Sequence, residues 1–374
     1  MFYKKYLNVK EIRARKKKFG FPNAKLIELL IYDYEIFRNL LEISSKFYLK
    51  GGAAAQLYMT LPEQRASKDI DLVTDHTPKE IEEIFSKKLN NIFPCKQHIP
   101  VKITRNIPMV TYLVSADSVI NVSQKVEVKV DIMFEDIKNY RLSKAPPSEI
   151  FALNTEVELP AISIGSLVGD KFLTLAQKSI GLPTEKLSEY PKQIYDISRI
   201  MHKLGKQHFS DMIFSFESII KTELKVRNLK NTSEEIIAHI FEVLNEFTML
   251  DSPNCIFKIY LNDFQSAYVN AKARKSNSQW ILDSLALIYL LKLVRDVVIK
   301  KENIGYVHSK WKSMLQELAN ISKSKTDEKK KLREKFLNEL KEKVNDWKRF
   351  KGCSEERLYL ELKKLEWEQI NTAD

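Results

Sequence analysis

Residues 47–74 read FYLKGGAAAQLYMTLPEQRASKDIDLVT, and the fold turns on how this stretch is read. A short apolar strand at 47–49 runs into Gly51-Gly52, the one glycine pair in a chain with only 9 glycines. A small helix at 53–59 and a polar loop through Pro62, Arg65 and Ser67 lead to a strand at 70–74. Asp69-Ile70-Asp71 opens that strand. Residues two apart on a strand share a face, so this spacing sets two carboxylates side by side while Ile70 and Leu72 turn to the buried face. With 49 acidic residues in the chain, about six acid-x-acid pairs are expected by chance. The spacing therefore has weight only beside the glycine turn and on a rigid strand.

Upstream, Leu26, Ile27, Leu30, Tyr34, Phe37 and Leu41 form one stripe of a helix that ends near Ser44. Downstream, a helix is predicted from about 78 to 93, with Pro78 in its first turn, then strands near 109–114 and 125–133. The last strand places Val126, Val128, Val130 and Ile132 on one face and Glu127, Lys129 and Asp131 on the other. Asp131, rather than Glu127, is the candidate third carboxylate; the competing reading is a solvated strand face. Three converging carboxylates repel one another unless a divalent cation offsets them, which points to Mg²⁺ or Mn²⁺ with oxygen ligands and not to zinc.

Proline and glycine divide the 374 residues. Eleven of twelve prolines and seven of nine glycines precede residue 206. The first part mixes period-two segments with helices, including helices at about 164–179 and 191–204, whereas the rest repeats apolar residues at helical spacing. The expectation is an α+β domain over 1–205 followed by an all-α helical bundle over 206–374. Helices are predicted near 210–228, 232–249, 257–273, 277–301, 308–322, 327–349 and 354–369, with Trp280, Trp311, Trp347 and Trp367 as core or half-buried anchors.

Several chemistries are excluded. Cys95, Cys255 and Cys353 lie far apart and make no C-x-x-C spacing, against a disulfide framework or structural zinc. The six histidines show no i, i+4 ligand pair, and no G-x-S-x-G or Cys-His pattern points to a covalent nucleophile. The segment from Gly165 to Lys171 lacks Walker spacing. No signal peptide or membrane span is read, since Asp283, Lys292, Arg295 and Asp296 interrupt the greasiest segment, and a cytoplasmic setting is expected.

Lys+Arg 61 against Asp+Glu 49 gives +12, which suits a polyanionic partner. Lysine outnumbers arginine 48 to 13, so part of this is compositional rather than a recognition surface. Eight of the first eighteen residues are basic, and this arm reads either as an RNA clamp or as a flexible solubilising start.

Four blocks in order resemble one family. The run from Phe47 to Gly52 followed by Arg65 to Leu72 resembles the K-G-G … R-x-S-x-D-I-D-L opening of the AbiEii-like nucleotidyltransferases, within the DNA polymerase β superfamily. The block 129–136, ending in Glu135 and Asp136, is similar to their I-D-I-x-F-x-D strand. Gly169 to Phe172 is similar to A-E-K-L, and Lys192 to Ile197 to K-D-x-Y-D-L. Asp170 stands where the family has Glu, and Gln193 where it has Asp, which leaves Asp196 as the only acid of its block.

The resemblance implies a polymerase-β-like fold, a mixed sheet flanked by helices, in which Gly51 and Gly52 let the backbone approach a nucleoside triphosphate with Arg65 and Ser67 beside it. It implies that Asp69, Asp71 and Asp131 hold Mg²⁺ or Mn²⁺, that Lys171 contacts phosphate, and that Asp196 is the fourth-motif acid. The implied reaction moves NMP from an NTP to a hydroxyl acceptor, RNA or a tRNA 3′ end first, as in type IV toxin–antitoxin or phage-defence toxins. A cognate antitoxin is the implied partner. The rival readings are a catalytically silent RNA-binding or scaffolding protein, and transfer to a protein or small molecule.

Overall fold

The computed structural model describes residues 1–99, 108–134 and 137–371, so Glu135 and Asp136 of the second block lie outside the described residues. Two compact units emerge: Met1–Lys171 with Ser210–Lys230 and Tyr260–Arg274, and Phe172–Phe209 with Asn231–Ile259 and Lys275–Asp374.

The first unit contains, in chain order, α1 (Val9–Phe19), α2 (Ala24–Ile43), β1 (Phe47–Lys50), α3 (Gly51–Tyr58), β2 (Asp69–Thr74), α4 (Pro78–Glu83), β3 (Cys95–His98), β4 (Met109–Asp117), β5 (Lys125–Phe134), β6 (Leu142–Ala145), β7 (Leu159–Ile162) and most of α5 (Ile164–Thr174). Its seven strands form one sheet in the order β3-β4-β5-β2-β1-β7-β6. The sheet is mixed: β2 runs parallel to β5 and β1 to β7, and the remaining neighbours are antiparallel. Ile70, Leu72, Val128, Val130 and Ile132 are fully buried, as the period-two pattern requires of the central strands.

Local signals work as read at several ends. Thr77 and Glu80 form a capping box around Pro78 at the start of α4. The helix expected to reach 93 instead passes into a π turn at Ile84–Lys88 and a 3₁₀ turn at Leu89–Asn91. Ile81, Ile84, Phe85 and Leu89 stay buried throughout, which is why apolar spacing alone reads as one continuous helix.

The basic N-terminal segment is a packed element rather than a loose arm. Asn8 caps α1 by accepting from the Glu11 N–H, and Tyr3, Tyr6 and Ile12 are buried. The N–H groups of Phe2 and Tyr3 donate to the Glu35 carboxylate at 2.9 and 2.6 Å. Tyr3 and Tyr6 are thereby committed to the core.

The second unit contains α6 (Tyr190–Ile200), α8 (Ser233–Thr248), α10 (Asn277–Val298), α11 (Ile304–Lys323), α12 (Thr326–Lys343) and α13 (Glu355–Asn371); α7 (Lys206–Arg227) and α9 (Phe257–Tyr268) contribute residues to both units. Helix α10 packs against α6, α8, α11 and α13. A helix apolar on every side belongs in the middle of such a bundle, which accounts for the greasy segment. No described helix is long and apolar enough to cross a membrane. Trp280 and Trp311 are fully buried and Trp367 nearly so. Helix α12 buries only Phe336 and Leu340, leaving its Lys/Glu face in water.

Candidate active site

The register of the central strands lines up one row of polar residues. Lys50 on β1 pairs with Asp71 on β2, Asp71 with Asp131 on β5, and Asp131 with Thr111 on β4. Residues opposite one another on neighbouring strands share a face, so these four side chains stand together. Asp69, two residues before Asp71, pairs with Lys129 and extends the same face. Asp69, Asp71 and Asp131 are each partly exposed, whereas Glu127 is exposed.

The glycine turn closes on this row. Gly51 has φ +62°, in the left-handed region, and a Cβ placed on it would lie 1.8 Å from Asp71 Oδ2. Only glycine fits where the backbone must turn and pass the carboxylate this closely. A Cβ on Gly52 would stand 2.5 Å from Ser67 Oγ and 3.2 Å from an Arg65 guanidinium nitrogen. Arg65 is buried; its N–H donates to Gln56 Oε1 at 2.8 Å and its guanidinium to the Ala66 carbonyl at 2.8 Å. The loop before β2 is pinned as well, with the Ala66 N–H donating to the Tyr268 carbonyl at 2.9 Å.

Two ionisable neighbours register the field of these acids. Asp33 on α2 is buried, and neither of its carboxyl oxygens has a hydrogen-bond partner among the described residues. Burial, then the charges of Asp69 and Asp71, push its pKa well above the ordinary carboxyl value. The Lys129 pKa is raised too, which for a lysine favours the charged form. Burial disfavours its charge, yet its hydrogen bond to Asp131 and the negative charges of Asp131, Asp69 and Asp71 raise its pKa overall. Lys129 Nζ donates to Asp131 Oδ2 at 2.5 Å, and Thr111 Oγ1 donates to Asp131 Oδ1 at 2.6 Å.

Asp69 and Asp71 are the residues that fit a divalent cation. The face carries three carboxylates beside two ammoniums, Lys129 and Lys50, the latter also paired with Asp170. Among the described residues, no three His, Cys, Asp or Glu side chains are arranged to enclose a metal ion. Two carboxylates are within the number that a divalent cation such as Mg²⁺ commonly takes from a protein, with substrate phosphates and water completing its shell.

Sequence reasoning gave Lys50 no role, although it lies in the quoted block. Its ammonium donates to Tyr140 Oη at 3.0 Å and to Asp170 Oδ1 at 3.2 Å, and the Tyr140 hydroxyl donates to Asp170 at 2.9 Å. Burial opposes the charge, but Asp170, Tyr140 and Asp71 hold the Lys50 pKa well above the ordinary lysine value. Asp170, the acid that departs from the family's Glu, thus ties α5 to the end of β1. Replacing Lys50 by Met leaves Asp170 with little solvent and no cation, and should cost about 3 kcal/mol of stability. The expected readout is a lower urea midpoint at unchanged slope, largely restored by Lys50→Met with Asp170→Leu. An unmoved midpoint in the single variant would show that the pair contributes nothing.

Lys171 and Asp196 would read as helix-surface charges by composition alone, yet they are 2 % and 0 % exposed. Lys171 follows Asp170 on α5 in the first unit, and Asp196 lies on α6 in the second. The second unit also holds a cavity of about 890 Å³. Of its cations, Arg357 pairs with Asp251 and Glu361 and Lys364 with Glu368, while Arg349 lies over the Phe350 ring, so it is a cavity of mixed polarity.

Comparison with known proteins bears on the identity of this site. A profile of the family described as nucleotidyl transferase AbiEii toxin, type IV toxin–antitoxin system, matches residues 37–268. No curated protein matches. Among solved structures, an antigenic nucleotidyltransferase-like protein from Paracoccidioides brasiliensis is similar over 55% of this chain and 95% of its own, at 13% identity and a TM-score of 0.35. At that score the likeness carries no weight for fold or function. The profile match takes in more than half of the chain, from the end of α2 through the glycine turn, the β2 and β5 acids and α5 to α9, and on that basis the chain belongs to the AbiEii family and is a nucleotidyltransferase.

Proposed function

We propose that the protein transfers NMP from an NTP to a hydroxyl acceptor on RNA, a tRNA 3′ end first, with release of pyrophosphate. The observation that carries this reading is the register of Asp71 with Asp131 on one sheet face, directly under the Gly51 turn. Asp69 and Asp71 would hold Mg²⁺ or Mn²⁺ on the triphosphate, and Asp131 would help hold the metal that acts on the acceptor hydroxyl. The cation, when bound, supplies positive charge that offsets the phosphates and favours ionisation of the acceptor hydroxyl.

The chain's own groups mostly position. The turn at Gly51 and Gly52 gives the triphosphate a close backbone approach, with Arg65 and Ser67 fixing the loop beside it. Lys171 offsets phosphate charge and Asp196 serves as the fourth-motif acid. The acceptor hydroxyl then attacks the α-phosphorus in line with the departing pyrophosphate, so the main contributions are orientation and charge placement. The helical part, 206–374 by composition, is assigned to acceptor or partner binding. The family setting makes a small antitoxin protein the partner to seek, and the cytoplasm, where RNA and NTP coexist and thiols stay reduced, the place of action.

Incubating the protein with each α-labelled NTP, Mg²⁺ and total RNA should give label in RNA with wild type and none with Asp69→Asn. Equal label in both would end the catalytic proposal, and label in protein or in a small compound would move the acceptor. A second reading draws on the Lys129–Asp131 ion pair, which already neutralises one acid: a catalytically silent RNA-binding protein on the same fold. RNA binding that ignores Mg²⁺ and survives Asp69→Asn with Asp71→Asn would favour it.

A further inference from the structure

Asp131 shares a face with Asp69 and Asp71, yet no three acids enclose an ion among the described residues. Asp131 carries two hydrogen bonds. One carboxylate oxygen accepts from Thr111 and the other from Lys129, so both are turned toward β4 and β5 neighbours. Thr111 is buried and neutral, and can keep its bond while a cation approaches. Lys129 cannot, since its ammonium stands beside Asp131 and opposite Asp69, where an incoming cation would meet like charge. Its side chain remains 40% exposed against 16% for Asp131, which leaves the lysine free to swing and the acid fixed. Lysine is suited to this exchange, being a point charge on a flexible stem rather than a planar fork.

The nearest other lysine on the row, Lys50, is tied to Tyr140 and Asp170 and buried. Among the described residues of this row, Lys129 is thus the more exposed ammonium. A divalent ion held by the acids would compete with this ammonium for Asp131.

We infer that Lys129 is a triphosphate-binding residue that trades partners: it caps Asp131 in the empty site and moves onto phosphate when the cation and NTP enter. The inference rests on the proposed reaction. It predicts two effects of opposite sign in Lys129→Met. Removing the competing ammonium should tighten binding of Mn²⁺ alone about tenfold, whereas losing the phosphate contact should raise KM for NTP about tenfold with a smaller effect on kcat. Lys129→Arg keeps the charge and should return Mn²⁺ affinity toward wild type.

The test is Mn²⁺ titration of the full chain by electron paramagnetic resonance, followed by pyrophosphate release with each of the four NTPs, for wild type, Lys129→Met, Lys129→Arg and Asp71→Asn. Tighter Mn²⁺ with raised KM in Lys129→Met upholds the exchange. Unchanged Mn²⁺ affinity in that variant, while Asp71→Asn loses binding, overturns it and leaves the nucleotidyl-transfer reading standing. Tighter Mn²⁺ with unchanged KM overturns the phosphate contact. Absence of Mn²⁺ binding in wild type overturns both this inference and the cation site on which it depends.

Discussion

Asp71→Asn is expected to slow nucleotidyl transfer about 10³-fold, the equivalent of ~4 kcal/mol of transition-state stabilisation. Asparagine keeps the shape of the side chain and removes the charge that would hold the cation. The fold should be little changed, because Asp71 is partly exposed and its charge bears unfavourably on buried Asp33 but favourably on Lys50 and Lys129. Thermal melting of the metal-free variant should therefore stay close to wild type, while label transfer collapses. A variant that transfers label at the wild-type rate would remove Asp71 from the chemistry.

Gly51→Ala should be nearly as damaging to activity by a different route. At φ +62° an alanine costs about 1–2 kcal/mol of backbone strain. Its methyl would also fall 1.8 Å from Asp71 Oδ2, so the carboxylate has to move. A misplacement of about 1 Å costs on the order of 10²-fold in rate. The expected result is a melting temperature lower by several degrees, a folded protein, and transfer reduced about 10²-fold or more. Strain alone, without loss of activity, would mean that the position of Asp71 does not matter to the reaction. The paired design separates stability from chemistry, since Asp71→Asn should change only the second.

Much of this site was legible before any coordinates. The period-two alternation of 69–72 and 126–132 indicated which carboxylates share a face, and the glycine pair marked where a backbone had to turn. What escaped has physical causes. Strands β3, β6 and β7 are four residues each, too short to show a period, and β7 carries Pro160. Helix α1 has a polar composition, and its anchorage comes from Tyr3, Tyr6 and the distant acceptor Glu35. No local pattern reports such a contact. Asp33 did leave a trace: it falls three residues after Leu30 and four before Phe37, on the apolar stripe of α2, where a charge is out of place. Lys50, Tyr140 and Asp170 meet from three separate segments, and their ion pair depends on tertiary placement that residue spacing does not encode. The interleaving of the two units, with α7 and α9 contributing to both, is likewise invisible to composition, which changes once along the chain.

The most direct measurement is an anomalous diffraction map from crystals soaked with Mn²⁺ and an NTP analogue whose α–β bridge cannot be cleaved. A Mn²⁺ peak within coordination distance of Asp69 and Asp71, with phosphate oxygens beside Gly51, is the predicted result. Mn²⁺ and nucleotide ordered elsewhere on the protein, with these two carboxylates bare, would contradict it.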